Sequence, residues 1–192
     1  MLFRSQIEAR FGALLERVAW VSLGGGIHFT GEGYPLDAFC QRIKAFSQRY
    51  GVQVYLEPGE AAVTGSTTLE VTVLDTLYNG KHLAIVDSSI EAHMLDLLIY
   101  RESAEIVPNT GPHSAMVCGK SCLAGDIFGE FRFAQPLQAG DRLSIQDAAG
   151  YTMVKKNWFN GVRMPSIAVR ELDGSIALQR KFSFDDYAAS LS

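Results

Sequence analysis

The chain has 192 residues, 47% of them hydrophobic, and a net charge of −4, enough apolar matter for a sizeable core in one or two domains. That balance carries no basic footprint for nucleic acid or for an acidic membrane surface, and no apolar run approaches the roughly 18–20 residues that span a bilayer. The opening Met1–Gln6 lacks the apolar core of a secretory signal, and the three cysteines, Cys40, Cys118 and Cys122, have no zinc-ligand spacing. A reduced, cytoplasmic compartment and no metal are therefore expected.

In chain order, residues 6–17 carry Ile7, Phe11, Leu14 and Leu15 at helical spacing. A β-rich run, Val18–Ser22, then leads into Leu23-Gly24-Gly25-Gly26-Ile27-His28. Residues 36–50 predict a second helix, started by Pro35 and stopped by Gly51. Val52–Leu56 reads as a strand ending in Glu57-Pro58-Gly59-Glu60. Helix, strand, glycine loop, helix, strand is the tail of a parallel α/β array.

From about residue 60 the pattern changes. Leu69–Leu74 alternates in period two, and Asn79-Gly80 predicts a hairpin into His82–Asp87. Later strands are predicted at Ser114–Cys118, Ile127–Phe133, Arg142–Gln146 and Tyr151–Val154. A final hairpin is expected at Asp173-Gly174, and one helix over 90–101 interrupts the strands. The expectation is an α/β segment over 1–60, then a mostly antiparallel β-barrel or sandwich domain over 61–192.

Ligand sites of α/β folds lie at the C-terminal ends of strands, and both Gly24-Gly25-Gly26 and Glu57 sit there. Three glycines let backbone N–H groups approach a phosphate, although such a run is more often a plain tight turn. A strand-end carboxylate needs a cationic or proton-bearing partner unless solvent covers it. Cys122, in a glycine-flanked loop beside Asp126, is an acid–base candidate against the commoner reading of an inert buried thiol. Tyr151 either reaches a phosphate oxygen or packs in a strand. His28 and His93 are either bases or ordinary hydrogen-bonding residues. Glu60, Glu91 and Asp96 would select an amine-rich substrate if they line a pocket, and are otherwise solvated acids.

Six motifs in order resemble the pyridoxal-phosphate decarboxylases of the alanine-racemase-like fold, the family of the ornithine, arginine and diaminopimelate enzymes. They are Gly24-Gly25-Gly26, Glu57-Pro58-Gly59, Val86-Asp87, Cys122 through Gly125-Asp126, Gly150-Tyr151-Thr152 and Phe159-Asn160-Gly161. Within the family, Ser22–Thr30, Glu57–Ala61, Ser89–Met94 and Ser121–Asp126 look most like the branch acting on carboxynorspermidine and carboxyspermidine. The resemblance implies the last βα units of a (β/α)8 barrel followed by the β-domain. It also implies a carboxy-lyase of polyamine biosynthesis and a homodimer with shared active sites.

By the same resemblance, pyridoxal 5'-phosphate would be held at its phosphate by Gly24, Gly25, Gly26 and Tyr151, and at its ring nitrogen by Glu57. Cys122 would protonate the carbanion left by CO2, Asp126 would support its loop, and Glu60, Asp96, Glu91 and Asp126 would face the substrate. Relatives commonly have arginine where this chain has Glu60, and an acid where it has Leu123; both changes suit a longer polyamine. The family's Schiff-base lysine lies on an early barrel strand, a context that none of Lys44, Lys81, Lys120, Lys155, Lys156 or Lys181 shares. The expectation is a C-terminal portion with little or no decarboxylation alone. The alternatives are a diaminopimelate-type decarboxylase, a non-catalytic module for a phosphorylated ligand, and a β-domain serving only dimerisation.

Overall fold

The computed structural model describes residues 2–191, with side chains from Gln6 onward. They form two compact units divided between Thr64 and Gly65. Residue 60, where the sequence pattern changes, starts a short 3-10 turn, Glu60–Ala62, that closes the first unit.

The first unit runs α1 (Leu2–Leu15), β1 (Trp20–Ser22), α2 (Leu36–Tyr50) and β2 (Gln53–Tyr55). β1 and β2 pair in parallel, Trp20 opposite Gln53 and Ser22 opposite Tyr55; parallel neighbours need a crossover, and α2 supplies it. Asp37 in its first turn and Arg49 in its last complement the helix dipole. The helix stops at Gly51, whose φ of 65° lets its N–H return to the Ser47 carbonyl. Leu15, Phe46 and Val52 form the small core, with Ile7, Val21, Tyr50 and Val54 packed on it.

The second unit contains β3 (Leu69–Tyr78), β4 (His82–Val86), α3 (Ile90–His93), α4 (Leu95–Tyr100), β5 (His113–Cys118), β6 (Ile127–Phe133) and β7 (Arg142–Ile145). α5 (Gly150–Lys155), β8 (Ile167–Arg170), β9 (Ile176–Arg180) and α6 (Phe184–Ala189) follow. Five strands make one sheet in the order β6-β5-β4-β3-β7, and β8 with β9 makes a separate hairpin. Leu69, Val71 and Val73 alternate inward along β3, and the hairpin closes with Tyr78 opposite His82. β4 and β5 are parallel while the other neighbours are antiparallel, so the sheet is mixed. Its core is built on Phe128, Met94, Ile145, Val73, Val86 and Val117.

Three features differ from the expected elements. The helix predicted over 90–101 is two helices, broken at Met94 (φ −138°, ψ 48°). The carbonyls of Glu91 and Ala92, which would continue the ladder, accept instead from the Asn157 side chain at 2.9 Å and the Asn157 N–H at 2.8 Å. The strand predicted at Tyr151–Val154 is helix α5: Thr152 and Lys155, three apart on one face, both bond Asp96, and that docking overrides the β-propensity of a four-residue run. Helix α6 was not foreseen, although Ser183 and Asp186 form the reciprocal cap that starts it.

Candidate functional site

Parallel pairing brings the ends of β1 and β2 together. Past the strands, the Leu23 N–H donates to the Tyr55 carbonyl at 3.0 Å and the Glu57 N–H to the Gly24 carbonyl at 2.9 Å. The glycine bend and Glu57 are therefore direct neighbours. Gly24 and Gly26 hold φ +73°, and a Cβ on Gly25 would stand 2.5 Å from the Glu57 carbonyl oxygen, so the bend needs glycines for conformation and for close approach. Among the described residues, the N–H groups of Gly25, Gly26 and Ile27 have no acceptor, which leaves a bend of donors suited to an anion.

Glu57 carries the second half of this site. Ser22 Oγ donates to Glu57 Oε1 at 2.5 Å and accepts from the Gly24 N–H at 3.2 Å. One carboxylate oxygen is thereby anchored, and the other is uncommitted among the described residues, as a protonated ring nitrogen would require. An anion-binding bend beside a half-anchored carboxylate fits a pyridoxal phosphate, which is negative at its tail and basic at its ring. Ser22 escaped the sequence reading; its signal was a hydroxyl ending the strand that feeds the glycine bend.

In the second unit, Cys122 is exposed on the loop between β5 and β6. Asp126, 4% exposed, fastens that loop: it accepts from the Ile90 N–H at 2.7 Å, the Ser121 N–H at 2.9 Å and Ser121 Oγ at 2.5 Å. Gly119 must be glycine, because a Cβ there would collide with the Asp126 carboxyl. Among the described residues no hydrogen bond joins Asp126 to Cys122. The sulfur's partner is Asn160, whose Nδ2 donates to Sγ at 3.0 Å; within the Phe159-Asn160-Gly161 motif, nothing had marked it as a contact of the thiol. Cys118 is half-buried, and burial, then the Asp126 charge, pushes its thiol up.

Asp96 is buried on α4 and engaged by Lys155 Nζ at 2.5 Å and Thr152 Oγ1 at 3.3 Å. That pairing raises the Lys155 ammonium above its ordinary range. Lys155 also lies 4.9 Å from the ring centroid of Tyr151, which is exposed on α5. Glu60 is exposed at the 3-10 turn, Glu91 is half-buried on α3, and His28 is exposed after the glycine bend. His93 is buried: Nδ1 lies 2.8 Å from Ser88 Oγ, and Nε2 has no partner among the described residues. Burial first, then the Lys120 charge, holds it down at about 4. Among the described residues no group of three or more His, Cys, Asp or Glu could hold a metal, and no helix is long and apolar enough to cross a membrane.

Residues 40–149 match the C-terminal sheet domain of the pyridoxal-dependent decarboxylases. A carboxynorspermidine/carboxyspermidine decarboxylase of Herminiimonas arsenicoxydans is 66% identical over 98% of this chain and 52% of its own length. One from Campylobacter jejuni is 36% identical over 94% and 51%. The crystal structure of carboxynorspermidine decarboxylase complexed with norspermidine, also from Campylobacter jejuni, superposes with a TM-score of 0.89 at 36% identity, covering 96% of this chain and 54% of that one. The chain thus spans about half the length of the relatives it matches.

Proposed function

Because the chain belongs to the pyridoxal-dependent decarboxylases through their C-terminal sheet domain, we propose that it serves the decarboxylation of carboxynorspermidine and carboxyspermidine to norspermidine and spermidine. The observation that carries this reading is the glycine bend hydrogen-bonded to Glu57, with Ser22 fixing one carboxylate oxygen. The names and identities of the relatives support the substrate class. When bound, pyridoxal phosphate supplies an electron-accepting ring that stabilises the carbanion left by CO2.

The remaining roles belong to the chain's own residues. Gly24, Gly25 and Gly26 bind the phosphate through backbone N–H groups, with Tyr151 as a further donor, and Glu57 keeps a proton on the ring nitrogen. Cys122 holds the proton that replaces CO2, across a homodimer interface as the family resemblance implies, and Asp126 keeps its loop in place. Of the acids assigned to the substrate, Glu60 and Glu91 are the ones we place at its distal amines, since Asp96 is held by Lys155 and Asp126 by Ile90 and Ser121. β1–α2–β2 is read as consecutive units of a (β/α)8 barrel, because a two-stranded parallel sheet with Trp20 and Tyr55 exposed buries too little by itself. The cytoplasm is the compartment this reading assigns.

A chimera tests the proposal: this chain replaces the matching segment of the Herminiimonas relative, and labelled CO2 release is followed with carboxynorspermidine, carboxyspermidine and meso-diaminopimelate. The expected result is turnover of the two carboxypolyamines, lowered on the order of 100-fold in kcat by Glu57→Gln. A folded, cofactor-loaded chimera that released no CO2 would support a binding module instead, and a preference for diaminopimelate would move the substrate assignment.

A further inference from the structure

We propose that Asn160 is a positioning residue for Cys122, setting the orientation of its thiol and stabilising the sulfur when it gives up its proton. The inference rests on the reading of Cys122 as the proton source. The contact is an N–H donor at 3.0 Å from Sγ, between residues 38 apart in sequence. Asn160 holds φ 58°, a left-handed backbone that asparagine tolerates better than most residues.

Both partners are fastened to the same short helix, α3. The thiol's loop is tied to its start, through Asp126 to the Ile90 N–H and through the Lys120 N–H to the Ser88 carbonyl at 2.9 Å. The amide's turn is tied to its end, because Asn157 bonds the carbonyls of Glu91 and Ala92, and Asn157 Oδ1 accepts from the Phe159 N–H at 2.7 Å. The same Asn157 bonds that break the helix at Met94 therefore set the Asn160 turn against the cysteine loop. A chance contact between two exposed loops would have no such common anchor.

In the proposed reaction the S–H bond breaks, the proton takes up the electron pair on the carbon that lost CO2, and the S–H pair stays on sulfur. An amide N–H pointed at that sulfur stabilises the charge, and it leaves the S–H free to face away from the turn. No acid is needed beside the thiol for this role, in keeping with Asp126 being engaged elsewhere.

The test is site-resolved alkylation of the chain by iodoacetamide at pH 7, read by mass spectrometry, with Cys40 and Cys118 as internal references. Asn160→Gly removes the amide and suits the left-handed backbone; Asn160→Asp keeps the shape and substitutes an acceptor. Since the thiolate is the reacting form, Cys122 is expected to slow about threefold in Asn160→Gly. In Asn160→Asp it slows by about fivefold more, the effect of a like charge near 4 Å in water. Rates at Cys40 and Cys118 stay unchanged. An unchanged or faster Cys122 in both variants overturns the proposal, and so does acceleration at Cys118, which would make Asn160 a general structural residue. Failure of the chimera to decarboxylate, with the alkylation effect intact, would sink the reaction assignment and leave the pairing standing.

Discussion

Replacing Asp126 tests how the cysteine loop is held. Its carboxylate, 4% exposed, accepts two backbone N–H groups and one hydroxyl. In Asp126→Ala the Ser121 hydroxyl can turn to water, but the Ile90 N–H is left in a residue 2% exposed, and the half-buried Ser121 N–H also loses its acceptor. At about 1–3 kcal/mol for each orphaned buried donor, the loss comes to about 3–4 kcal/mol, a large part of the roughly 5–15 kcal/mol that holds a domain folded. Asp126→Asn keeps the shape, but its amide nitrogen must face at least one of the three donors, so about 1.5–3 kcal/mol is expected. The chain has two tryptophans, Trp20 and Trp158. In a Trp20→Phe background, Trp158 fluorescence during urea unfolding reports the second unit. With a slope near 2 kcal/mol/M, Asp126→Ala should lower the midpoint by about 1.5–2 M. A loss under about 1 kcal/mol for alanine, or asparagine equal to aspartate, would refute the view that this carboxylate anchors the loop.

Two further perturbations address the buried histidine and the glycine bend. His93 is held down at about 4 against an ordinary 6.5, by burial first and Lys120 second, with Asp126 and Asp87 pulling the other way. Between those values the unfolded chain binds more protons than the folded one, so stability is complete above pH 6.5 and falls through the window, by about 3 kcal/mol at its acid end. His93→Gln should remove that slope from urea midpoints measured between pH 7 and 4.5, and an identical slope in both proteins would rule the histidine out as its source. Gly25→Ala places a methyl 2.5 Å from the Glu57 carbonyl and should weaken binding of pyridoxine 5'-phosphate, which has no aldehyde to react with surface lysines, by at least about tenfold in calorimetry. Unchanged affinity would count against the bend as the phosphate site.

Local patterns exposed much of this architecture. The periodicity of α2 with Pro35 and Gly51, the alternation of Leu69, Val71 and Val73, and the Asn79-Gly80 turn each depend on neighbours in sequence, and each element is present. The errors arose where distant residues decide. Asn157 takes the carbonyls that a continuous helix over 90–101 would have used, and Asp96 gathers Thr152 and Lys155 into a helix where their sequence reads as strand. The parallel pairing of β4 with β5 was equally hidden, because its connection carries α3 and α4 and no hairpin signal marks it.

The candidate residues of the two units divide along the same line. Chemical type and chain order singled out the glycines, Glu57 and Cys122, because a glycine-rich bend, a strand-end carboxylate and a loop thiol are properties of short segments. Tertiary structure alone chose their partners: Ser22 for Glu57, Asn160 for Cys122, Lys155 for Asp96 and Ile90 for Asp126. A hydrogen bond needs donor and acceptor within about 3 Å, and residues far apart in the chain meet at that distance only after the sheet and its crossovers have folded.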